Sequence, residues 1–430
     1  MGLAQQVKLT KVQLCSILVI FLVALLMRLS YGLSAEHDVP LRADAYKYAM
    51  IGINLAESGT YSYDESGATS KLITPGYPMI VAFFVSLFDD FSSAYIAILA
   101  FQILLSSFVA VLTYLISIRF LNNLAAVIVA GAVAISPHLI ISSSYFLTET
   151  THSFSLILSI YLLLLAVEKR VLGIAILAGL AFGYSALIRP AVLLFPIPLV
   201  AIIWWKYHSG INLRVALCFI VATFLVWTPW QLWEADTEES NVRQVLALGA
   251  YPNMIHESPE LRGFPYQEDP EFELMQADWA NVRSVLSQRF SQRPLTYLEW
   301  YLVGKPIMLW SAWAIQGQGG PYIYPIISSI YSENRVYSFS LLLMMKVHTI
   351  IFLIAFIAIV SGLLRLFLMN KDVHFIITTL TLFVLYHTAV HMVLAPLPRF
   401  SFPYYPILFM LAGYGSLIIW NEINRRRNNG

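Results

Sequence analysis

Ten stretches of this 430-residue chain are apolar over roughly the length that crosses a lipid bilayer, and no other sequence feature limits its fold so strongly. They run over about 12–33, 95–119, 124–141, 150–167, 171–188, 190–205, 212–232, 341–367, 375–394 and 403–420. Backbone in lipid must satisfy its own hydrogen bonds, so each stretch is expected to be a helix. The predicted class is an all-α polytopic membrane protein with about ten transmembrane helices. Composition agrees, since only 12% of residues are charged and 58% are hydrophobic, against about 25% charged in soluble proteins. The net charge of +1 excludes a broad basic footprint for nucleic acid. Cys15 and Cys218 lie in apolar runs and are expected to be buried thiols; without a CxxC or Cys/His cluster there is no basis for a disulfide framework or structural zinc.

The first stretch follows Lys8 and Lys11, is long, contains Arg28 and lacks a clear small-residue cleavage site, which predicts a retained anchor. Two further apolar segments, 76–88 and 298–313, are short or interrupted by charge and suit the membrane interface. With ten spans, the short loops and ends on one side hold twelve basic residues, among them Lys169, Arg170 and Arg425 to Arg427. The other side holds Arg42, Lys47, Lys71, Arg189 and Arg399. The basic side is cytoplasmic, which places both termini inside. Three parts follow: a membrane module over 1–232 with a first outer loop at 34–94, an outer cap over 233–340, and C-terminal spans over 341–430. In the cap, Phe272, Met275, Trp279, Val282, Val285, Leu286 and Phe290 recur at helical steps. No inside loop is long enough for a nucleotide-binding unit, so ATP or a nucleotide sugar is not the expected substrate.

Ionisable groups near a bilayer face a cavity or the interface, and here the informative ones share the outer side. Asp44 opens an outer-loop helix, with Lys47 and Tyr48 on adjoining positions of its face. It reads either as a helix cap, worth about 0.5–2 kcal/mol, or as a carboxylate able to take a proton from a hydroxyl. Pro75-Gly76-Tyr77-Pro78 then turns the chain, and Lys71 before it either snorkels or meets a phosphate. Glu149 stands at the outer start of a span, where an acid also suits the helix dipole. His138, His152 and His391 lie near the same end and read as hydrogen-bonded core histidines or as supporting residues; their spacing is that of no metal motif. Arg189-Pro190 and Pro398-Arg399 put an arginine in each of two outer turns. Each suits an interfacial anchor or an anion. Arg28 and Lys346 are expected to snorkel, and the many Trp and Tyr near span ends to form an interfacial belt.

In order, Asp44-Ala45-Tyr46-Lys47-Tyr48, Pro75-Gly76-Tyr77-Pro78, Thr148-Glu149, Arg189-Pro190 and Arg399-Phe400-Ser401-Phe402-Pro403-Tyr404-Tyr405-Pro406 resemble the motifs of GT-C glycosyltransferases. The bacterial branch related to protein O-mannosyltransferases and to the lipid A aminoarabinose transferase is the most similar. The resemblance covers about 10–235 and 385–425 and leaves the middle unmatched. It implies transfer of a sugar, hexose or pentose, from a polyprenyl-phosphate donor to a lipid, glycan or protein acceptor on the outer face of a bacterial inner membrane. It further implies inversion at the anomeric carbon, Asp44 as general base, and Glu149 orienting the acceptor or assisting a cation. Arg189, Arg399 and Lys71 would hold the donor phosphate, with Lys47 and Tyr48 holding Asp44. Where the family often has a second acid, this chain has Ala45, so participation of a divalent cation stays open. The rival reading is a transporter or lipid flippase of envelope glycan assembly. Such proteins need acids or broken helices near the midplane, and no acid falls deep in a predicted span.

Overall fold

The computed structural model describes residues 10–63, 72–206, 210–234, 241–254, 269–311, 322–324, 326–367 and 375–429. Lys71 lies outside the described residues, as do 312 and 313 of the second short apolar segment. Each of the ten apolar stretches falls on helix: α1 (Lys11–Ser34), α4 (Phe91–Ser117), α5 (Asn123–Ile135) with α6 (Pro137–Ser142), α7 (Glu149–Lys169), α8 (Leu172–Ile188), α9 (Pro196–Lys206), α10 (Gly210–Glu234), α17 (Arg335–Phe367), α18 (Phe375–Val393) and α19 (Tyr405–Asn429). Among the described residues seven helices are long and apolar enough to cross a membrane. The helices α5, α8 and α9 are shorter, at 13, 17 and 11 residues. Polar caps fix several starts: Thr10, Asp90, Asn122 and Asp278 each accept a hydrogen bond from the backbone N–H three residues on.

The helix exterior is apolar. Leu18, Val19, Leu22 and Leu26 of α1, Val221 and Leu225 of α10, and Leu353 and Phe356 of α17 are all exposed, a surface that water would not tolerate over this area. The chain is a multi-pass membrane protein. Between helices, small residues allow close approach: on α8, a Cβ added at Gly179 would lie 2.3 Å from Phe219 O, and one at Gly183 would lie 2.7 Å from Thr223 O, both on α10. Cys15 corrects an expectation, since it is exposed on α1 and not buried.

Arg28 corrects another. Instead of snorkelling it is fully buried, and its guanidinium donates to Ala134 O (2.9 Å), Val133 O (3.3 Å), Ala24 O (3.0 Å) and Ser106 Oγ (2.7 Å). Val133 and Ala134 sit in the last turn of α5, where carbonyls have no helical partner. The break that exposes them is at Ser136-Pro137, inside the expected span 124–141. Lys346, by contrast, is exposed on α17.

Beyond the span ends lie α2 (Asp44–Ser58) and α3 (Gly76–Val85) of the first loop. The segment after α10 holds α11 (Asn241–Leu248), α12 (Phe272–Ala277), α13 (Trp279–Gln292), α14 (Pro294–Glu299) and α15 (Lys305–Leu309), then the short α16 (Ile330–Glu333). A π turn over Trp300–Gly304 joins α14 to α15. The helix expected across 272–290 is therefore two, because Asp278 ends one and caps the next. Met275, Val282 and Val285 are buried together as the spacing implies, whereas Trp279 is exposed. A two-stranded ribbon, β1 (Glu36–His37) with β2 (Ile326–Ser328), ties the first loop to the later segment. This segment also grips the turn after α18, where Ala395 N donates to Val245 O (3.0 Å), and it is tied within itself by Trp300 Nε1, which donates to Gly249 O (3.1 Å).

Candidate active site

Asp44 and Glu149 open α2 and α7, and Arg189 and Arg399 occupy the turns after α8 and before α19. The first loop is seated by close contact. Gly76 abuts the end of α8 so tightly that a Cβ there would fall 2.6 Å from Ile188 N and from Leu187 C. Tyr184 Oη donates to Gly76 O (2.8 Å). Tyr48 meets Tyr77 edge to face at 5.3 Å between centroids, and Tyr77 Oη donates to Gln102 Oε1 (2.7 Å). Gln102 in turn donates to Ser143 O and Tyr145 O (3.2 and 2.7 Å). The Pro-Gly-Tyr-Pro turn thus sets α2 and the residues leading to Arg189 against one another.

Neither acid caps its helix. The residue before Asp44, Ala43, has φ +46° and no side chain closes the turn there; the Asp44 carboxylate instead accepts from Arg399 Nη2 at 2.7 Å. Glu149 Oε1 accepts from Arg189 Nη2 at 2.5 Å, and Arg189 Nε donates to Thr148 Oγ1 at 2.9 Å. Both guanidiniums also lie against Phe400, with Cζ 5.2 Å (Arg189) and 5.6 Å (Arg399) from its ring centroid. One aromatic ring therefore joins two ion pairs drawn from four separate stretches of sequence.

The two pairs differ in access. The Glu149 side chain is 1% exposed and that of Asp44 39%. Burial pushes the Asp44 carboxyl up, but the charge and hydrogen bond of Arg399, with Lys47 and Arg189 behind it, outweigh this and hold it below the ordinary aspartate value. Asp44 is thus an ionised, reachable carboxylate. Glu149 is enclosed, and among the described residues its Oε2 has no hydrogen-bond partner; neither has the buried Nε of Arg399.

Lys47 lies over the Tyr63 ring at 5.3 Å. His152 bonds through Nδ1 with Ser185, and His391 Nδ1 lies 2.7 Å from Ala395 O. His391 also packs on Phe400 with centroids 5.3 Å apart. His138 is not gathered with them, but sits against Phe402, Tyr405 and His348. Sequence reasoning passes over Phe400 as a bridge, and over His387, buried between His391 and a stacked Tyr404. Lys305 is a further omission: it is fully buried, donates to Val393 O and Leu394 O (3.0 and 3.1 Å), and lies 3.9 Å from the Tyr301 centroid. It caps the end of α18, from which the chain leads to Arg399. Its place in an interrupted apolar segment was the available signal.

Among the described residues no group of three or more His, Cys, Asp or Glu side chains is arranged to hold a metal ion. Each acid gives one oxygen to an arginine.

Solved membrane structures share this helical fold. The archaeal oligosaccharyltransferase AglB of Archaeoglobus fulgidus, in complex with an inhibitory peptide and a dolichol-phosphate, matches with TM-score 0.50 and 12% identity, covering 97% of this chain and 51% of that one. ArnT from Cupriavidus metallidurans bound to undecaprenyl phosphate matches with TM-score 0.51 and 14% identity, covering 93% of this chain and 59% of that one. The present chain thus spans about half the length of AglB and three fifths of ArnT. No family profile and no curated protein sequence matches it.

Proposed function

We propose that this chain is a membrane glycosyltransferase that moves a sugar from a polyprenyl-phosphate donor to an acceptor on the extracytoplasmic side of a bacterial inner membrane. The observation that carries the reading is the pair of arginine-held carboxylates around Phe400, one open and one closed, on a GT-C fold. The fold neighbours bind polyprenyl phosphates, namely dolichol-phosphate and undecaprenyl phosphate. The excess of basic residues at the opposite helix ends supports cytoplasmic termini and an outward-facing site.

In the proposed reaction an acceptor O–H gives its proton to Asp44 as the oxygen attacks the anomeric carbon. The bond from that carbon to the phosphate oxygen breaks, with inversion, and polyprenyl phosphate leaves as an anion. Its charge needs preorganised cations and no acid. Arg189 and Arg399 supply them, with Lys71 as a third candidate. Lys47 and Arg399 keep Asp44 ionised, and Tyr48 seats its helix. Glu149 is enclosed against Arg189, so its role here is to position that arginine and not to touch the acceptor. The acceptor class is a lipid, a glycan or a protein, and the segment 233–340 is the part suited to select it.

The test combines two measurements. Mass spectrometry of envelope glycans from cells with and without the gene should show one sugar missing. Asp44→Asn should abolish its restoration while the protein still binds undecaprenyl phosphate. Full restoration by Asp44→Asn would overturn the assignment of the base.

A further inference from the structure

Beside Asp44 and Arg399, six aromatic side chains gather whose polar atoms are mostly unspent. Tyr31, at the outer end of α1, Tyr145, before α7, and Tyr331, in α16, are 0%, 2% and 3% exposed. His37 of β1, Tyr322 and Tyr324 complete the group. Rings line it: Tyr31 and Tyr331 are 5.8 Å apart between centroids, His37 and Tyr145 4.9 Å, and Tyr145 and Tyr324 5.8 Å. Tyr145 Oη donates to Tyr324 O (2.7 Å). The hydroxyl of Tyr31 approaches that of Tyr145 without the geometry of a hydrogen bond. Among the described residues, the buried hydroxyls of Tyr31, Tyr324 and Tyr331 and the Nε2 of His37 have no partner in hydrogen-bond geometry.

A buried polar atom without a partner is costly, and four in one cluster mark a place where something else completes the bonding. The cluster reaches the acids through Tyr324, whose hydroxyl lies alongside Arg399, the residue that holds Asp44. Arg42, 5.9 Å from the Tyr324 centroid, stands at its rim. None of the six side chains is a carboxylate or a permanent cation. Phenol rings with free hydroxyls match a neutral polyol, which offers C–H faces to rings and O–H groups to hydroxyls.

We infer that this tyrosine cluster is a saccharide subsite that takes a neutral pyranose ring next to Asp44. The inference rests on the glycosyltransferase reading. The ring belongs either to the donor or to the acceptor, and binding separates the two. The full chain in lipid nanodiscs is titrated with undecaprenyl phosphate, with undecaprenyl phosphate bearing glucose, mannose, galactose or arabinose, and with the methyl glycosides of the same sugars. Tyr31→Phe and Tyr331→Phe remove only a hydroxyl each and are compared with the parent chain. The expected result is a roughly tenfold loss of affinity, the ratio that one hydrogen bond of ordinary strength sets, in one arm alone. Loss toward a glycosylated lipid assigns the donor sugar, and loss toward a methyl glycoside assigns the acceptor. In either case binding of bare undecaprenyl phosphate stays unchanged, which also shows that the variants fold. Unchanged binding in both arms would overturn the subsite and leave a buried water cluster. A parent chain that binds bare undecaprenyl phosphate but no sugar-bearing probe more tightly would also overturn it. A parent chain that fails to bind even the bare carrier would instead sink the donor assignment made above.

Discussion

The two ion pairs around Phe400 are chemically alike, yet their surroundings predict opposite mutational behaviour. Glu149 is 1% exposed and Arg189 16%, so replacing Glu149 by Ala strands a guanidinium that retains only Thr148 Oγ1 and the Phe400 ring. Removing one partner of a buried pair costs about 3–5 kcal/mol. The Asp44 side chain is 39% exposed and Arg399 12%, so solvent reaching the carboxylate screens the interaction toward the roughly 0–1 kcal/mol of surface pairs. Double-mutant cycles with alanine at each position, read from unfolding in SDS mixed micelles, should therefore give a coupling about three or more times larger for Glu149 with Arg189 than for Asp44 with Arg399. Activity should rank the other way. Asp44→Asn should lower the transfer rate about 10²–10⁴-fold, the usual contribution of a general base, with little change in stability. Equal couplings, or an Asp44→Ala variant as unstable as Glu149→Ala, would refute the division of labour and make Asp44 a structural ion-pair residue.

Removing Arg399 should move the acid limb of kcat/KM to higher pH, because burial then acts on the Asp44 carboxyl without its main opposing charge; an unmoved limb in Arg399→Gln would separate that limb from Asp44. Gly76→Ala drives a Cβ into the backbone of Leu187 and Ile188, which no rotamer relieves. It should cost about 1–3 kcal/mol and weaken undecaprenyl phosphate binding through Arg189, as equilibrium binding would show. Burial lowers the Lys305 ammonium to about 7, and a lysine depressed below its unfolded value of 10.5 leaves the unfolded chain holding more protons between those pH values. Stability should accordingly rise with pH from about 7 upward, by at most about 1.4 kcal/mol per pH unit. Lys305→Met should flatten that slope in a series of unfolding curves. Retention of the full slope would assign it to other groups.

What was legible in the sequence, and what was not, follows from how far each signal reaches along the chain. Apolar runs are local, and lipid leaves them one backbone solution, so all ten appear as helix. The gathering of charge was also legible, because Asp44, Glu149, Arg189 and Arg399 have few places to go near a bilayer except one shared face. Which acid meets which arginine was not. Asp44 takes Arg399, 355 residues away, while Lys47 lies over Tyr63, and no local sequence signal joins such distant positions. The error at Arg28 and the omission of Lys305 share a cause. A lone cation in an apolar run suggests snorkelling only while both neighbouring helices are taken as continuous. The breaks after Ile135 and after Val393 leave carbonyls without helical partners, and a buried cation serves them in each case. Pro137 announces the first break, since the residue before a proline resists the helical conformation, and Ser136 is indeed extended, with ψ 117°. The second has its proline at Pro396, three residues past Val393. A cation in an apolar segment and a helix-ending proline elsewhere in the chain are therefore two halves of one signal. Neither half shows the other until the helices pack, and in this chain the second such junction leads into the turn that delivers Arg399 to Asp44.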